Sequence, residues 1–205
     1  MKHLLLEQEI KTFLHVKQVY NMKTHNILII IDAQNDFIDG SLANKEAQEA
    51  VPRIIELINS QDWDAIIATQ DTHHSGYLET KEGKALPVTH CVLDTDGWKI
   101  NSDILLAIIN SHLKCFKCIC KSTFGSIDLP EAIVNSIDLD CGDELKITFV
   151  GFCTDICVIS NVLMTKAHFP YSADIYVKAD CCAGVTPESH EAALIVMRNC
   201  QINII

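Results

Sequence analysis

Residues 26–31 read Asn-Ile-Leu-Ile-Ile-Ile and run straight into Asp32-Ala33-Gln34-Asn35-Asp36-Phe37. An apolar run that does not alternate belongs to a strand covered on both faces, as in the middle of a parallel sheet. Parallel neighbours need crossover connections of a dozen residues or more, usually helical, so this one run already calls for a layered α/β fold. The remaining chain has the matching pattern. Strands are predicted over 64–69, 115–120, 145–152, 174–179 and 202–205, and amphipathic helices over 47–58, 104–113, 129–137 and 156–167. Thr186-Pro187-Glu188 opens a last helix, with Thr as cap and Pro at the first helical position. Strand and helix alternate six times, which predicts a three-layer α/β/α domain around a six-stranded, mainly parallel sheet.

At 205 residues, 48% of them hydrophobic, the chain suits one well-buried domain. We assign that domain to 25–205. Residues 1–24 stand apart: Leu4, Leu5, Leu6, Ile10, Phe13, Leu14, Val16 and Val19 suit either an appended amphipathic helix or an over-extended start. A net charge of −11 leaves no electrostatic footprint for nucleic acid or an anionic membrane, so neither is expected as a partner. Met1-Lys2-His3 precedes only three leucines before Glu7, unlike a secretory signal. The ten cysteines therefore read as reduced thiols in a cytoplasm.

Four predicted strands end in chemically useful side chains: Asp32, Asp71, Lys121 and Cys157. The carboxyl edge is where open α/β sheets place their sites. Cys157 would lie in the first turn of a helix capped by Thr154 or Asp155, where free N–H groups favour a thiolate. Asp32 could take its proton and Lys121 could hold both charges, which describes nucleophilic catalysis through an acylated thiol. The backbone N–H groups of Cys153 and Cys157 are candidates for an oxyanion hole. Beside them, Asp71 and His73, with His90 beyond an aperiodic stretch at 75–98, suit zinc, iron or manganese. His74 competes with His73, and Glu79 is a further direct or water-bridged ligand. Cys115-x-x-Cys118 falls inside a strand and reads as packing, and Cys181-Cys182 as pocket wall.

With these motifs in hand, residues 26–205 resemble the isochorismatase-like cysteine hydrolase family. The resemblance rests on Asp32-Ala33-Gln34-Asn35-Asp36-Phe37, Lys121-Ser122-Thr123-Phe124-Gly125-Ser126 and Gly151-Phe152-Cys153-Thr154-Asp155-Ile156-Cys157-Val158, in that order. It implies Asp32 as base, Lys121 as electrostatic partner, Cys157 as nucleophile, and a cis peptide between Phe152 and Cys153. Nicotinamidases within the family carry a metal on an Asp-x-His pair and a later histidine, which maps to Asp71, His73 and His90. The resemblance then implies nicotinamide hydrolysis through a thioester, a divalent metal (zinc first, iron or manganese as alternatives) holding the pyridine nitrogen, no organic cofactor, ring contacts from Phe37 and Trp98, and a homo-oligomer. The chain departs from that pattern at Ser75-Gly76-Tyr77-Leu78-Glu79-Thr80, where another histidine is common. The competing expectations are a metal-free hydrolase of another small amide, carbamoyl compound or vinyl ether, and an idle binding or redox-sensing module.

Overall fold

The computed structural model describes residues 22–111 and 113–205. The expected N-terminal extension lies, through residue 21, outside the described residues. The apolar runs become six parallel strands: β1 (Thr24–Ile31), β2 (Ala65–Asp71), β3 (Phe116–Lys121), β4 (Glu144–Phe152), β5 (Ala173–Ala183) and β6 (Asn203–Ile204). Their order across the sheet is β3-β2-β1-β4-β5-β6. This is the order of a doubly wound fold, and its direction reverses between β1 and β4, where such sheets open a crevice.

The β1 sequence explains its central place. Ile27, Ile29 and Ile31 enter one core, and Leu28 and Ile30 enter the other. The first core is closed by Leu129–Val134, Ile159–His168 and Pro187–Asn199, and the second by Lys45–Asn59 and Ser102–Asn110. Helical spacing does the closing: Ala47, Ala50, Ile54 and Ile58 recur every three or four residues on the buried stripe of Lys45–Asn59. The Asn44 side chain caps that helix by accepting from Ala47 N. Thr186 caps Pro187–Asn199 as expected, with Ser189 completing a capping box.

Two segments differ from expectation. The stretch 75–98 holds a 3-10 turn, Tyr77–Glu79, and a five-residue helix, Lys81–Ala85, capped by Thr80. A single turn is too short to leave a hydrophobic period. The helix expected from 156 begins instead as a π turn, Thr154–Val158, a deviation common at functional sites.

Gly151 sits beside that turn, where the β4–β5 register shifts between Phe149 and Gly151. Its φ is +116°, and a Cβ there would collide with the Ile31 carbonyl. Gly151→Ala therefore combines backbone strain with a clash in the central strand pair, and should cost on the order of 3 kcal/mol or more in denaturant unfolding. A loss below about 1 kcal/mol would contradict this account.

Candidate active site

The parallel register brings the strand ends level. Lys121 pairs with Asp71 at the ends of β3 and β2. From there its side chain crosses the end of β2 to reach β1. Its Nζ lies 2.6 Å from Asp32 Oδ2, 3.6 Å from Cys157 Sγ and 3.7 Å from Asp71 Oδ1. Asp32 follows β1 in a left-handed conformation, φ 47°, which Asp tolerates better than most residues. Thr69 fixes that carboxylate by donating its hydroxyl to Oδ1 at 2.6 Å. All three members of the predicted triad are buried and adjoin one ammonium.

Burial sets their protonation. It pushes the Asp32 carboxyl above its ordinary value, with Lys121 pulling the other way. It also works against the charge on Lys121, but Asp32, Cys157 and Asp71 outweigh it and raise the lysine. Burial raises the Cys157 thiol well above its ordinary value, and the Asp32 carboxylate adds to this while Lys121 opposes it. Cys157 therefore rests as a thiol, not as the thiolate its helix-start position suggests. A thiolate beside an ionised Asp32 would put two negative charges in one buried site, so the sulfur becomes anionic only as its proton passes to Asp32. The Cys153 thiol is likewise pushed up to about 12, by burial first and Asp155 next.

Neither Thr154 nor Asp155 caps the helix start. The Thr154 hydroxyl pairs with His190 Nδ1 at 2.8 Å, and Asp155 Oδ1 accepts from Val185 N at 3.1 Å. The peptide between Phe152 and Cys153 is cis, as the resemblance implies.

Next to the triad, Asp71, His73, Glu82 and His90 each offer one ligand atom, all within 4.8 Å of one another. Asp71 Oδ2 is 2.9 Å from His73 Nε2 and 3.5 Å from His90 Nε2, and Glu82 Oε1 is 3.7 Å from His73 Nε2. His90 Nδ1 donates to the Val88 carbonyl at 2.8 Å, which leaves its Nε2 lone pair facing the group. His73 Nε2 is buried and makes no hydrogen bond despite its carboxylate neighbour. An orphaned lone pair aimed at two carboxylates is what a divalent ion would satisfy, so the donor set fits a metal. Burial opposes the charge on Asp71, but His73, His90 and Lys121 together hold it well below the ordinary carboxylate range.

Other expectations shift. Glu82 supplies the additional carboxylate; Glu79, three residues earlier on the 3-10 turn, is exposed, as is His74. Trp98 does not line the cavity. Its ring N–H donates to Thr72 Oγ1 at 2.9 Å, and its carbonyl accepts from Gln34 and Gln70 at 2.7 and 2.9 Å, so it braces the end of β2 from behind. Phe37 does line the cavity, joined by Phe124 and Ile156. Cys181 and Cys182 are buried, one in each core, because consecutive strand residues face opposite sides. All ten cysteines are free thiols.

Thr69, Gln34, Tyr77 and Glu82 escaped sequence reasoning. Gln34 binds both backbone groups of Asp71, accepting from N and donating to O, each at 2.8 Å. Tyr77, inside the departing stretch, packs its ring 4.4 Å from His73 and 4.9 Å from His90. Gln34 lies within a quoted motif, which was its only signal.

Cys157 and three of the metal-type cluster, Asp71, Glu82 and His90, open on one cavity of about 390 Å³, which Cys153 also lines with apolar walls including Phe37, Phe124 and Ile156. Comparison with known proteins places the chain in a family and gives its fold relatives. The isochorismatase domain family matches residues 26–205. The nicotinamidase of Schizosaccharomyces pombe is 27% identical over 221 residues, covering 90% of this chain and 94% of the relative. A nicotinamidase/pyrazinamidase from Bacillus subtilis superposes with a TM-score of 0.69 at 22% identity, over 88% of this chain and 98% of that one. A pyrazinamidase of Pyrococcus horikoshii, solved in complex with zinc, gives 0.64 at 23% identity over 88% and 98%.

Proposed function

From the premise that this chain belongs to the isochorismatase family, we propose that it is a cysteine-dependent amide hydrolase whose substrate is nicotinamide, releasing ammonia and nicotinate. The observation that carries the reading is the shared cavity, lined both by Cys157 and by Asp71, His90 and Glu82, three of the four grouped donors, with His73 beside them. A flat heteroaromatic amide has its reactive carbon at one end and a ring nitrogen at the other, and this cavity offers a partner for each.

Asp32 takes the Cys157 proton as the sulfur attacks the amide carbon. Negative charge then passes to the carbonyl oxygen, where the N–H groups of Cys153 and Cys157 are the proposed donors. Asp32 returns the proton to the amide nitrogen, the C–N bond breaks, ammonia leaves and a thioester remains. Asp32 next accepts a proton from water, whose oxygen attacks the thioester. The C–S bond breaks, the proton goes back to sulfur, and nicotinate departs. Lys121 stays charged throughout, so the cluster always contains a cation to offset whichever of Asp32 and Cys157 is anionic. A divalent ion held by Asp71, His73, His90 and Glu82, zinc first with iron or manganese as alternatives, would supply a Lewis acid for the ring nitrogen. Phe37, Phe124 and Ile156 would flank the ring and exclude water.

The test is ammonia release from nicotinamide by purified protein, paired with elemental analysis. About one equivalent of metal is expected, falling to a small fraction in His73→Ala with KM raised at least tenfold. Metal-free protein that turns over nicotinamide normally would remove the metal from the reading; no ammonia from metal-replete protein would remove the substrate. Because the base must be unprotonated, the raised Asp32 pKa also places the acid limb of kcat/KM above the ordinary Asp value of about 3.9. A limb at or below that value would contradict the assignment of Asp32 as base.

A further inference from the structure

We infer that His190 is a positioning residue for the nucleophile turn, acting through Thr154. The inference rests on Cys157 being the nucleophile. Thr154 is fully buried, follows Cys153 directly, and opens the π turn that carries Cys157. Its hydroxyl pairs with His190 Nδ1 at 2.8 Å, from the first turns of the helix Pro187–Asn199.

The other side of His190 meets a separate cleft of about 220 Å³, whose lining carries Glu46, Glu49, Asp180 and Glu191 against the single cation Arg53. The Thr154 hydroxyl can donate to Nδ1 or accept from it, so the pair is a hydrogen bond in either imidazole tautomer. The base of the His190 side chain is in turn seated against the segment that follows β5. Gly184 packs flush on His190, so that a Cβ there would stand 2.9 Å from both its Cβ and its N. Neighbouring contacts bind the same two segments: Val185 N donates to Asp155 Oδ1 at 3.1 Å, and Asn44 Nδ2 donates to the Gly184 carbonyl at 2.7 Å. Val185 and Asn44 themselves line the substrate cavity. The junction after β5 thus acts as a brace. It holds the Cys153–Cys157 turn against a helix that touches no reacting atom, and among the described residues the Thr154–His190 pair is the side-chain to side-chain hydrogen bond between them.

A misplaced nucleophile loses rate more than binding, so His190→Ala and Thr154→Val should each lower kcat on the order of tenfold or more with KM changed less than about threefold. His190→Asn, which keeps a polar atom at the Nδ1 position, and Thr154→Ser, which keeps the hydroxyl, should recover most of the loss. The double variant His190→Ala/Thr154→Val should fall no further than the worse single variant, because both remove the same link. Alkylation of Cys157 by iodoacetamide, followed by mass spectrometry, should slow in parallel. This arm reads the turn even if nicotinamide is not the substrate, so the two failures are distinguishable. Unchanged kcat in Thr154→Val, losses that multiply in the double variant, or an Asn variant as poor as the Ala variant would overturn the inference.

Discussion

Cys157→Ala should lower ammonia release from nicotinamide by at least about 10⁴-fold, with substrate affinity nearly intact. The sulfur forms and breaks the bond to the acyl carbon, and no other group on the cavity wall is equipped to replace it. Cys153, its neighbour, is a thiol pushed up to about 12 by burial. It also lacks the ammonium contact that Cys157 makes through Lys121. The fold should survive, since Cys157 is one member of a large core cluster and alanine leaves the Asp32–Lys121 pair untouched. Equilibrium binding of nicotinamide by calorimetry, measured beside the rate, separates loss of chemistry from loss of the pocket. Residual turnover above about 1% of wild type would be incompatible with a covalent route through this sulfur.

Lys121→Met should be nearly as damaging to turnover and should also destabilise the fold by about 3–4 kcal/mol. Both Lys121 and Asp32 are buried, and removing the ammonium strands a carboxylate supported then by neutral groups, the Thr69 hydroxyl and the Cys157 thiol. The carboxyl can escape by taking up a proton, which from an ordinary pKa of about 3.9 costs about 4 kcal/mol at pH 7 and so bounds the loss. The sign follows from the same step. In the variant the folded carboxyl titrates far above its unfolded value, so the penalty is present at neutral pH and fades as pH falls toward that value. For a chain of this size the melting temperature should drop on the order of 10 °C at pH 7, and by less at pH 5. Adding Asp32→Leu should restore most of the stability and none of the activity. A single variant that melts within about 2 °C of wild type at pH 7 would mean the pair contributes little to folding.

The layered fold and the grouping of Asp32, Lys121 and Cys157 were legible because each rests on a pattern local in sequence. The unbroken apolar run of β1 and the capping at Thr186 and Pro187 needed no knowledge of distant contacts. Asp32, Lys121 and Cys157 could be placed together because each lies at or within a few residues of the carboxyl end of a strand, and parallel register brings strand ends level. What escaped reading depends on contacts across the sheet. Glu82, not Glu79, faces the imidazoles because a single capped turn of helix rotates it inward, and five residues carry no readable period. Trp98 looked like a ring for the substrate, yet its N–H and carbonyl are spent on Thr72, Gln34 and Gln70. The protonation of Cys157 likewise depends on its folded surroundings. A helix start favours a thiolate, but desolvation beside a buried carboxylate outweighs it, and burial is a property of the folded chain.

The central claim is that the acyl group passes onto the sulfur of Cys157. An activated ester of nicotinate has a better leaving group than the amide, so its deacylation becomes the slow step and the covalent intermediate accumulates. Acid quenching of that reaction, followed by peptide mass mapping, should find one nicotinoyl group on the peptide containing Cys157 and none in Asp32→Asn protein quenched at the same time. A nicotinoyl group on any other residue, or nicotinate formed over many turnovers with Cys157 never modified, would contradict the account.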